Sequence, residues 1–475
     1  MKSKEEYIES LRKLKPEVYM FGERVKNVVD HPIIKPSMNA MAATYELAHG
    51  DLMTATSHLN GKRINRFTHI HQSAADLVSK SKMGRMLGCY TGACFQRCAG
   101  MDAMNALSIV THEIDQKHGT EYNRRFLKYL GYVQENDLAC DAAMTDAKGD
   151  RRLRPAEQPD PDQYLHVIRE DEGGIVVRGS KLHQTGALNS HEIIAMPTRA
   201  MRAEDRDYAV SFAVPSDTTG ITYIYGRQPC DTRKMEGGTF DVGNLYYGGH
   251  ECMVIFDDVF VPWERVFMYR EYEFAAGLVE RFASYHRQSY ACKAGMGDVL
   301  IGASQTIAEY NGVAHTSHVR DKITEMNHLN ETIFCCSLAC AYEGSGEACG
   351  TYYVNSLMAN ITKLHVTRIP YELAKLAHEI AGGAVVTVPS ERDFRDPKIG
   401  KYVAKYLQGV EGVPAEHRIR VLRLIESLTM GLGAACYLPE SMHGAGSPQA
   451  QKIMIGRQAN LSGKQQAAKR LCGVG

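Results

Sequence analysis

The sequence predicts an α+β fold in three parts: N-terminal helices, a central antiparallel β domain and a C-terminal helical bundle. Three observations predict it. Over the first 145 residues, apolar side chains recur at three- and four-residue spacing. From Tyr164 to Val261, short β-branched runs alternate with Gly, Pro, Asp and Ser. From about Tyr272 the helical spacing returns and lasts to the end. The expected domains are residues 1–145, 146–271 and 272–475.

The elements follow in chain order. Tyr7–Val25, Ala40–Ala48 and Ala103–Gln116 carry helical spacing. Asp146–Asp162 is polar, with Gly149 and three prolines, and reads as a linker and domain boundary. Tyr164–Ile168, Gly174–His183, Glu192–Pro197, Tyr208–Val214, Gly220–Tyr225 and Glu251–Val261 read as strands, the last closed by Pro262. Phe274–Tyr310, His318–Cys340, Thr351–Ile369 and Pro370–Ala381 read as a packed bundle. No solenoid period and no low-complexity tract is present.

Composition excludes several classes. The 475 residues are 44% apolar and 23% charged, which argues against wholesale disorder and collagen-like chains. Lys+Arg and Asp+Glu are both 55, and no basic stripe stands out, so nucleic acid is not an expected partner. The N-terminus is charged, without a signal-peptide core, and no run approaches the roughly 18 apolar residues of a membrane span. The expectation is an unprocessed cytoplasmic protein with no membrane partner. Its 13 cysteines are then expected to be thiols, metal ligands or reactive groups rather than disulfides.

Common nucleotide and hydrolase signatures are missing. There is no GxxxxGK[ST], HExxH or GxSxG, and Gly344–Gly350 has the wrong spacing for a dinucleotide fingerprint. Three constellations carry chemistry instead. Cys94-Phe-Gln-Arg-Cys98 would place two thiols on one face of a helix, where they either pack or ligate a metal centre. Cys335, Cys336 and Cys340 offer the same spacing among apolar neighbours and read as a buried helix. His286-Arg-Gln-Ser-Tyr290-Ala-Cys292-Lys293 gathers acids, bases and donors, and Glu440–Gln449 surrounds His443 with glycines that would let backbone approach a ligand or simply end a helix. At the end of a strand, Lys181–Gly186 offers Thr185 and backbone groups to a flavin ring, or is an ordinary turn.

Together these residues carry a resemblance. EYIESLRKL (Glu6–Leu14), NRFTHIHQS (Asn65–Ser73), CFQRCAGMDAMNA (Cys94–Ala106), QENDL (Gln134–Leu138), MTDAKGDR (Met144–Arg151), HQTG, YGRQ-x-CDTRKME, FDDVFVP, ERFASYHRQSY and ESMHGAGSPQAQ are long, chemically unusual matches running nearly end to end. The chain resembles the 4-hydroxyphenylacetate 3-hydroxylase family, on its acyl-CoA dehydratase branch. The resemblance implies an acyl-CoA dehydrogenase-like fold, a homotetramer, FAD held between the β domain and the helices with a neighbouring subunit's help, and a [4Fe-4S] cluster on three Cys and one His. Carried over, the cluster ligands are Cys94, Cys98, His286 and Cys292. Tyr290, Lys293, Gln96, Glu251 and Glu440 match residues of the substrate pocket. The flavin-contact regions correspond to Asp146, Lys148, Gly149, Asp150 and Arg151, to His183, Gln184 and Thr185, and to Gly382 and Gly383.

One departure has a structural consequence. The family pattern is His-x6-Cys, whereas five residues separate His286 from Cys292. At about 100° per residue, i+6 is rotated roughly 120° from i on a straight helix. A π-bulge, an early helix break or a shifted ligand would restore the pair; otherwise the cluster is loose, incomplete or absent.

The implied reaction is dehydration of 4-hydroxybutyryl-CoA to crotonyl-CoA, with isomerisation of vinylacetyl-CoA to crotonyl-CoA. The C3 proton is unactivated and hydroxide leaves poorly, so acid–base chemistry alone is insufficient. The resemblance implies a flavin radical mechanism: one-electron oxidation acidifies C3–H, an iron acts as Lewis acid on the 4-hydroxyl, and the electron returns. His286 is the expected base and weak iron ligand. Glu440 and Glu251 are expected to move protons or polarise the hydroxyl, and Tyr290 and Lys293 to steady the departing oxygen or the cluster region. The alternatives are a flavin-dependent 4-hydroxyphenylacetate 3-hydroxylase-type monooxygenase, an isomerase without a working cluster, and a non-catalytic scaffold. The three cysteines argue against the hydroxylase, and the polar set around His286 and Glu440 argues against the scaffold.

Overall fold

The computed structural model describes residues 1–228 and 231–474. Pro229 and Cys230, inside the YGRQ-x-CDTRKME match, lie outside the described residues. The N-terminal part holds α1 (Lys4–Arg12), β1 (Glu17–Met20), β2 (Glu23–Arg24), α2 (Lys35–Glu46), the hairpin of β3 (Thr54–Thr56) and β4 (Arg63–Asn65), α3 (Ala74–Thr91), α4 (Cys98–His118), α5 (Tyr122–Glu135) and β5 (Cys140–Ala143). The helix expected over Tyr7–Val25 therefore stops at Arg12. Pro16 lacks an N–H and biases Lys15 away from the helical region, so the chain continues as a strand.

The β domain contains β6 (His166–Asp171), β7 (Gly174–Thr185), β8 (Glu192–Ala195), β9 (Val210–Pro215), β10 (Ile221–Tyr225), β11 (Glu251–Pro262) and β12 (Val266–Tyr269). Its two sheets have strand orders β2-β1-β10-β11-β7-β6 and β12-β9-β8-β5. Pairing is mostly antiparallel, but β1 runs parallel to β10 and β5 parallel to β8. Strands from the first 145 residues thus complete both sheets, and the N-terminal segment is not purely helical. Val254, Phe256, Ile175, Val177, Ile193, Phe212 and Val214 fill the core with α4 and α5 residues such as Leu107, Phe126 and Leu130.

The C-terminal part holds α6 (Tyr272–Ser289), α7 (Ala291–Tyr310), α8 (Ser317–Tyr342), a short hairpin of β13 (Ser345–Gly346) and β14 (Tyr352–Tyr353), α9 (Ser356–Val366) and α10 (Ile369–Ala381). After these come α11 (Glu391–Arg395), α12 (Gly400–Tyr406), α13 (Ala415–Thr429), α14 (Leu432–Tyr437), α15 (Pro439–His443), α16 (Pro448–Gln458) and α17 (Leu461–Leu471). The helix expected over Phe274–Tyr310 is interrupted at Tyr290 (φ −64°, ψ 0°), which ends α6 and starts α7. Helix α3 packs against α7 at contact distance: a Cβ on Gly88 would strike the Cys292 carbonyl, and one on Gly295 the Arg85 carbonyl. Among the described residues, all cysteines are free thiols. No single helix among them is long and apolar enough to cross a membrane.

Candidate active site

A cavity of about 990 Å3 opens where β5, the end of β7 and the start of β11 face α6 and the α14–α15 corner. Cys94, Gln96, Cys98, Lys148, Arg151, His183, Gln184, Thr185, Glu251, His286, Tyr290 and Glu440 line it. Segments nearly 350 residues apart thus meet in one concave site.

Cys94 and Cys98 reach the cavity differently from the expectation. They do not share a helix face, because α4 begins at Cys98. Gly92 ends α3 in the left-handed region, and Gln96 turns the chain at φ 63°, leaving Cys94 on a connecting loop. The unusual Gln96 backbone is held by its own amide, which donates to Gly248 O (3.3 Å) and accepts from Asn189 Nδ2 (2.9 Å). Cys292 does not line the cavity; it packs with Cys98, Phe95 and Leu87 behind its wall. The break at Tyr290 means that the straight-helix rotation between His286 and Cys292 does not apply. Burial pushes the thiols of Cys94, Cys98 and Cys292 up, the last to about 11, and the field of Cys292 contributes to the rise at Cys98.

His286 sits near the C-terminus of α6, with its ring stacked on Phe282. Its Nδ1 lies 2.8 Å from Asp102 Oδ2. Asp102 is fully buried on α4, where it also pairs with Lys80 Nζ (2.6 Å) and accepts from Ser289 Oγ (2.8 Å). Burial alone would raise the Asp102 carboxyl, but Lys80 and His286 outweigh it and hold it below the ordinary range. A carboxylate at Nδ1 fixes the Nδ1–H tautomer of neutral imidazole and leaves the Nε2 lone pair for a metal or proton.

The second polar group centres on Lys293. It is buried and donates to Cys436 O (2.6 Å) and Glu440 Oε2 (3.1 Å). Burial disfavours its charge, yet the Glu440 carboxylate outweighs that and raises its pKa, so Lys293 is held as an ammonium. Tyr290 OH donates to the Glu440 carbonyl (3.3 Å). Glu251 is opposite Thr185 in the antiparallel register of β11 and β7, and Thr185 Oγ1 donates to Glu251 Oε1 (2.5 Å). Burial, with Glu440 nearby, pushes the Glu251 carboxyl well above its usual value.

The proposed flavin contacts divide. Lys148, Arg151, His183, Gln184 and Thr185 face the cavity, as does Gln96, expected in the substrate pocket. Asp146 does not: it is buried against Lys181 (2.7 Å) and accepts from Leu165 N (3.0 Å), pinning the loop that carries Lys148. Gly149 packs against Gln158, and Asp150 pairs with Arg152 (2.6 Å) outside the cavity. Gly382 and Gly383, at the C-terminus of α10, are exposed and away from it.

Sequence reasoning missed Asp102 and Lys80. Asp102 had a signal, being four residues beyond Cys98 and so on the same helix face. Lys80 had none, since it reaches the site only through the packing of α3.

The family models described as 4-hydroxyphenylacetate 3-hydroxylase N terminal and C terminal match residues 3–268 and 275–473. The chain belongs to the 4-hydroxyphenylacetate 3-hydroxylase family. Within it, the chain is 55% identical over 484 residues to the 4-hydroxybutyryl-CoA dehydratase/vinylacetyl-CoA-Delta-isomerase of Clostridium aminobutyricum, covering 99% of each. The solved structure of an oxygen-tolerant archaeal 4-hydroxybutyryl-CoA dehydratase from N. maritimus superposes with a TM-score of 0.99 at 54% identity, over 100% of this chain and 95% of that one. The oxygenase component of 4-hydroxyphenylacetate 3-monooxygenase, solved with FAD, is more distant: TM-score 0.85, 25% identity, 99% and 98% coverage. The fold of the 4-hydroxyphenylacetate 3-hydroxylase family is acyl-CoA dehydrogenase-like, since a glutaryl-coenzyme A dehydrogenase complex superposes at a TM-score of 0.50 over 86% of this chain and 82% of that one despite 13% identity.

Proposed function

We propose that this protein dehydrates 4-hydroxybutyryl-CoA to crotonyl-CoA and isomerises vinylacetyl-CoA to crotonyl-CoA, using FAD and a [4Fe-4S] cluster. The observation that carries this reading is the convergence of Cys94, Cys98 and His286 on one cavity, in a chain 55% identical from end to end to a protein of that name.

The donor set supports a cluster in kind. Among the described residues, no three His, Cys, Asp or Glu side chains gather tightly enough to hold a single metal ion. A four-iron cluster takes one ligand per iron, so its ligands stand further apart. Cys94, Cys98 and Cys292 are soft buried donors, and His286 has Nε2 left over. When bound, the flavin would accept and return one electron, and an iron would act as Lewis acid on the substrate hydroxyl.

The chain's own groups would do the rest. His286, oriented by Asp102, would take a substrate proton at Nε2. The Lys293 ammonium would hold the Glu440 carboxylate in place as a second proton acceptor. Glu251, whose proton burial holds more tightly, would donate. Gly382 and Gly383 lie outside the cavity, so they could meet a flavin only in a neighbouring subunit; the reading therefore includes self-association as a homotetramer.

The test is iron, acid-labile sulfide and FAD per subunit on anaerobically purified protein, with crotonyl-CoA formation followed in parallel. About four irons and one FAD with turnover would support the reading. FAD without iron, after attempted reconstitution, would overturn the Lewis-acid route and leave the isomerase. Loss of dehydration in His286→Ala is also expected.

A further inference from the structure

Lys363 is a buried basic group that the mechanism above does not use. It lies on α9 with none of its surface exposed. Its Nζ makes two contacts among the described residues, and neither is with a carboxylate: it donates to the Ser441 carbonyl and stands 4.1 Å from the centroid of the Tyr290 ring. Burial, with the Lys293 ammonium nearby, pushes its amine well below the usual value. The fold thus bears a desolvation cost that a methionine of similar length would avoid. What a methionine lacks is the N–H bonds, and both contacts are made by these, whether the group is an amine or an ammonium.

Both contacts lead to Glu440. The helix that carries it, α15, has five residues, too few to hold a side chain by its own backbone bonds. Tethers from other helices hold it instead. Lys293 on α7 donates to the Cys436 carbonyl (2.6 Å) and to Glu440 Oε2 (3.1 Å). Lys363 on α9 takes the carbonyl of Ser441, the residue after Glu440. The third tether is Tyr290, whose OH donates to the Glu440 carbonyl (3.3 Å). Tyr290 is itself wedged: Lys363 Nζ lies over its ring, the His286 ring sets across it at 5.3 Å, and a Cβ on Gly444 would fall 1.8 Å from its OH. A side chain packed this closely passes a shift at Lys363 on to the corner it holds.

We infer that Lys363 is a positioning residue for Glu440, fixing it directly through the Ser441 carbonyl and indirectly through the Tyr290 ring. The inference rests on the functional reading above, in which the Glu440 carboxylate accepts a proton. Lys363 stands behind the cavity lining, whereas Glu440 and Tyr290 are part of it. Its loss therefore misplaces a proton acceptor without removing a contact to the substrate, and the effect falls on rate rather than on affinity.

The experiment measures kcat and KM for vinylacetyl-CoA isomerisation in holoprotein of known FAD and iron content. Lys363→Met should lower kcat about 10- to 100-fold, with KM within about twofold of wild type and cofactor content unchanged. In a Glu440→Gln background the same substitution should cost less than about twofold further, since the group it positions is already gone. A merely structural role would instead lower cofactor content and multiply with Glu440→Gln. Wild-type kcat in Lys363→Met, or losses that multiply in the double variant, would overturn the inference alone. If the methionine variant does not fold, Lys363→Gln, whose amide ends one bond short of the lysine nitrogen, carries the same test with the same two outcomes. A wild-type holoprotein that neither isomerises vinylacetyl-CoA nor dehydrates 4-hydroxybutyryl-CoA would overturn the functional reading, and this inference with it.

Discussion

Asp102 Oδ2 holds His286 Nδ1 at 2.8 Å while the opposite oxygen of the same carboxylate pairs with Lys80 at 2.6 Å. One buried carboxylate thus ties α4 to α6 and to α3 behind the cavity. Asp102→Asn keeps the size but weakens the ion pair and allows the wrong imidazole tautomer. Dehydration should fall about 10- to 100-fold with the protein still folded, as for other outer partners of a ligating histidine. Asp102→Ala should also lower thermal stability by ~3–5 kcal/mol, because it strands the buried Lys80 ammonium. Activity together with thermal melts separates the two effects.

Glu440 and Lys293 act as a pair in this reading. Glu440→Gln removes the carboxylate while preserving shape, so both dehydration and isomerisation should slow by about 100-fold or more. FAD content should stay unchanged. Equal wild-type rates in a coupled assay would remove Glu440 from the proton transfers.

Buried histidines, His191 and His250 among them, are expected to make the fold sensitive to acid. Burial lowers His191 and His250 to about 3 each, from the ordinary 6.5. His191 is held neutral between Ala139 N (3.0 Å to Nδ1) and Ser10 Oγ (2.8 Å to Nε2). Between pH 6.5 and 3 the unfolded chain binds protons that the folded chain excludes, so their contribution is complete above about 6.5 and lost on acidification. Melting temperature should fall from pH 6.5 to 4.5. In His191→Gln the slope of unfolding free energy against pH should drop by about one proton.

Gly88 is where α3 touches the backbone of Cys292. Gly88→Ala places a methyl against the Cys292 carbonyl, so α7 must shift away. A cost of ~1–3 kcal/mol is expected, the usual range for overpacking. The variant should lose iron before it loses flavin, because the shift falls on Cys292 and not on β7. Metal analysis and flavin absorbance on one preparation decide it.

Much of the order of the fold was legible in the sequence. Strands at Gly174–Thr185, Glu192–Ala195 and Glu251–Pro262 fall where β-branched runs lie between turn residues, and α8 and α10 fall where helical spacing placed them. The motifs containing Cys94, Cys98, His286, Tyr290 and Glu440 also pointed to residues that share one cavity. These signals are local, because spacing, turn chemistry and motif identity lie within a few residues of one another.

What only the tertiary structure decided is everything that depends on long-range approach. Spacing alone put Cys94 and Cys98 on one helix, but the left-handed turn at Gln96 sets them on a loop and a helix start. It made His286 and Cys292 diverge on a straight helix, but α6 ends at Tyr290, so that rotation does not apply. Strands β1 and β5 looked like parts of a helical domain until they found parallel partners about 205 and 50 residues away. Lys80 and Asp102 acquired their places only when packing removed them from water, since a buried carboxylate or ammonium must find a counter-charge, a proton or a ligand, and which of these it finds is a property of its neighbours in space.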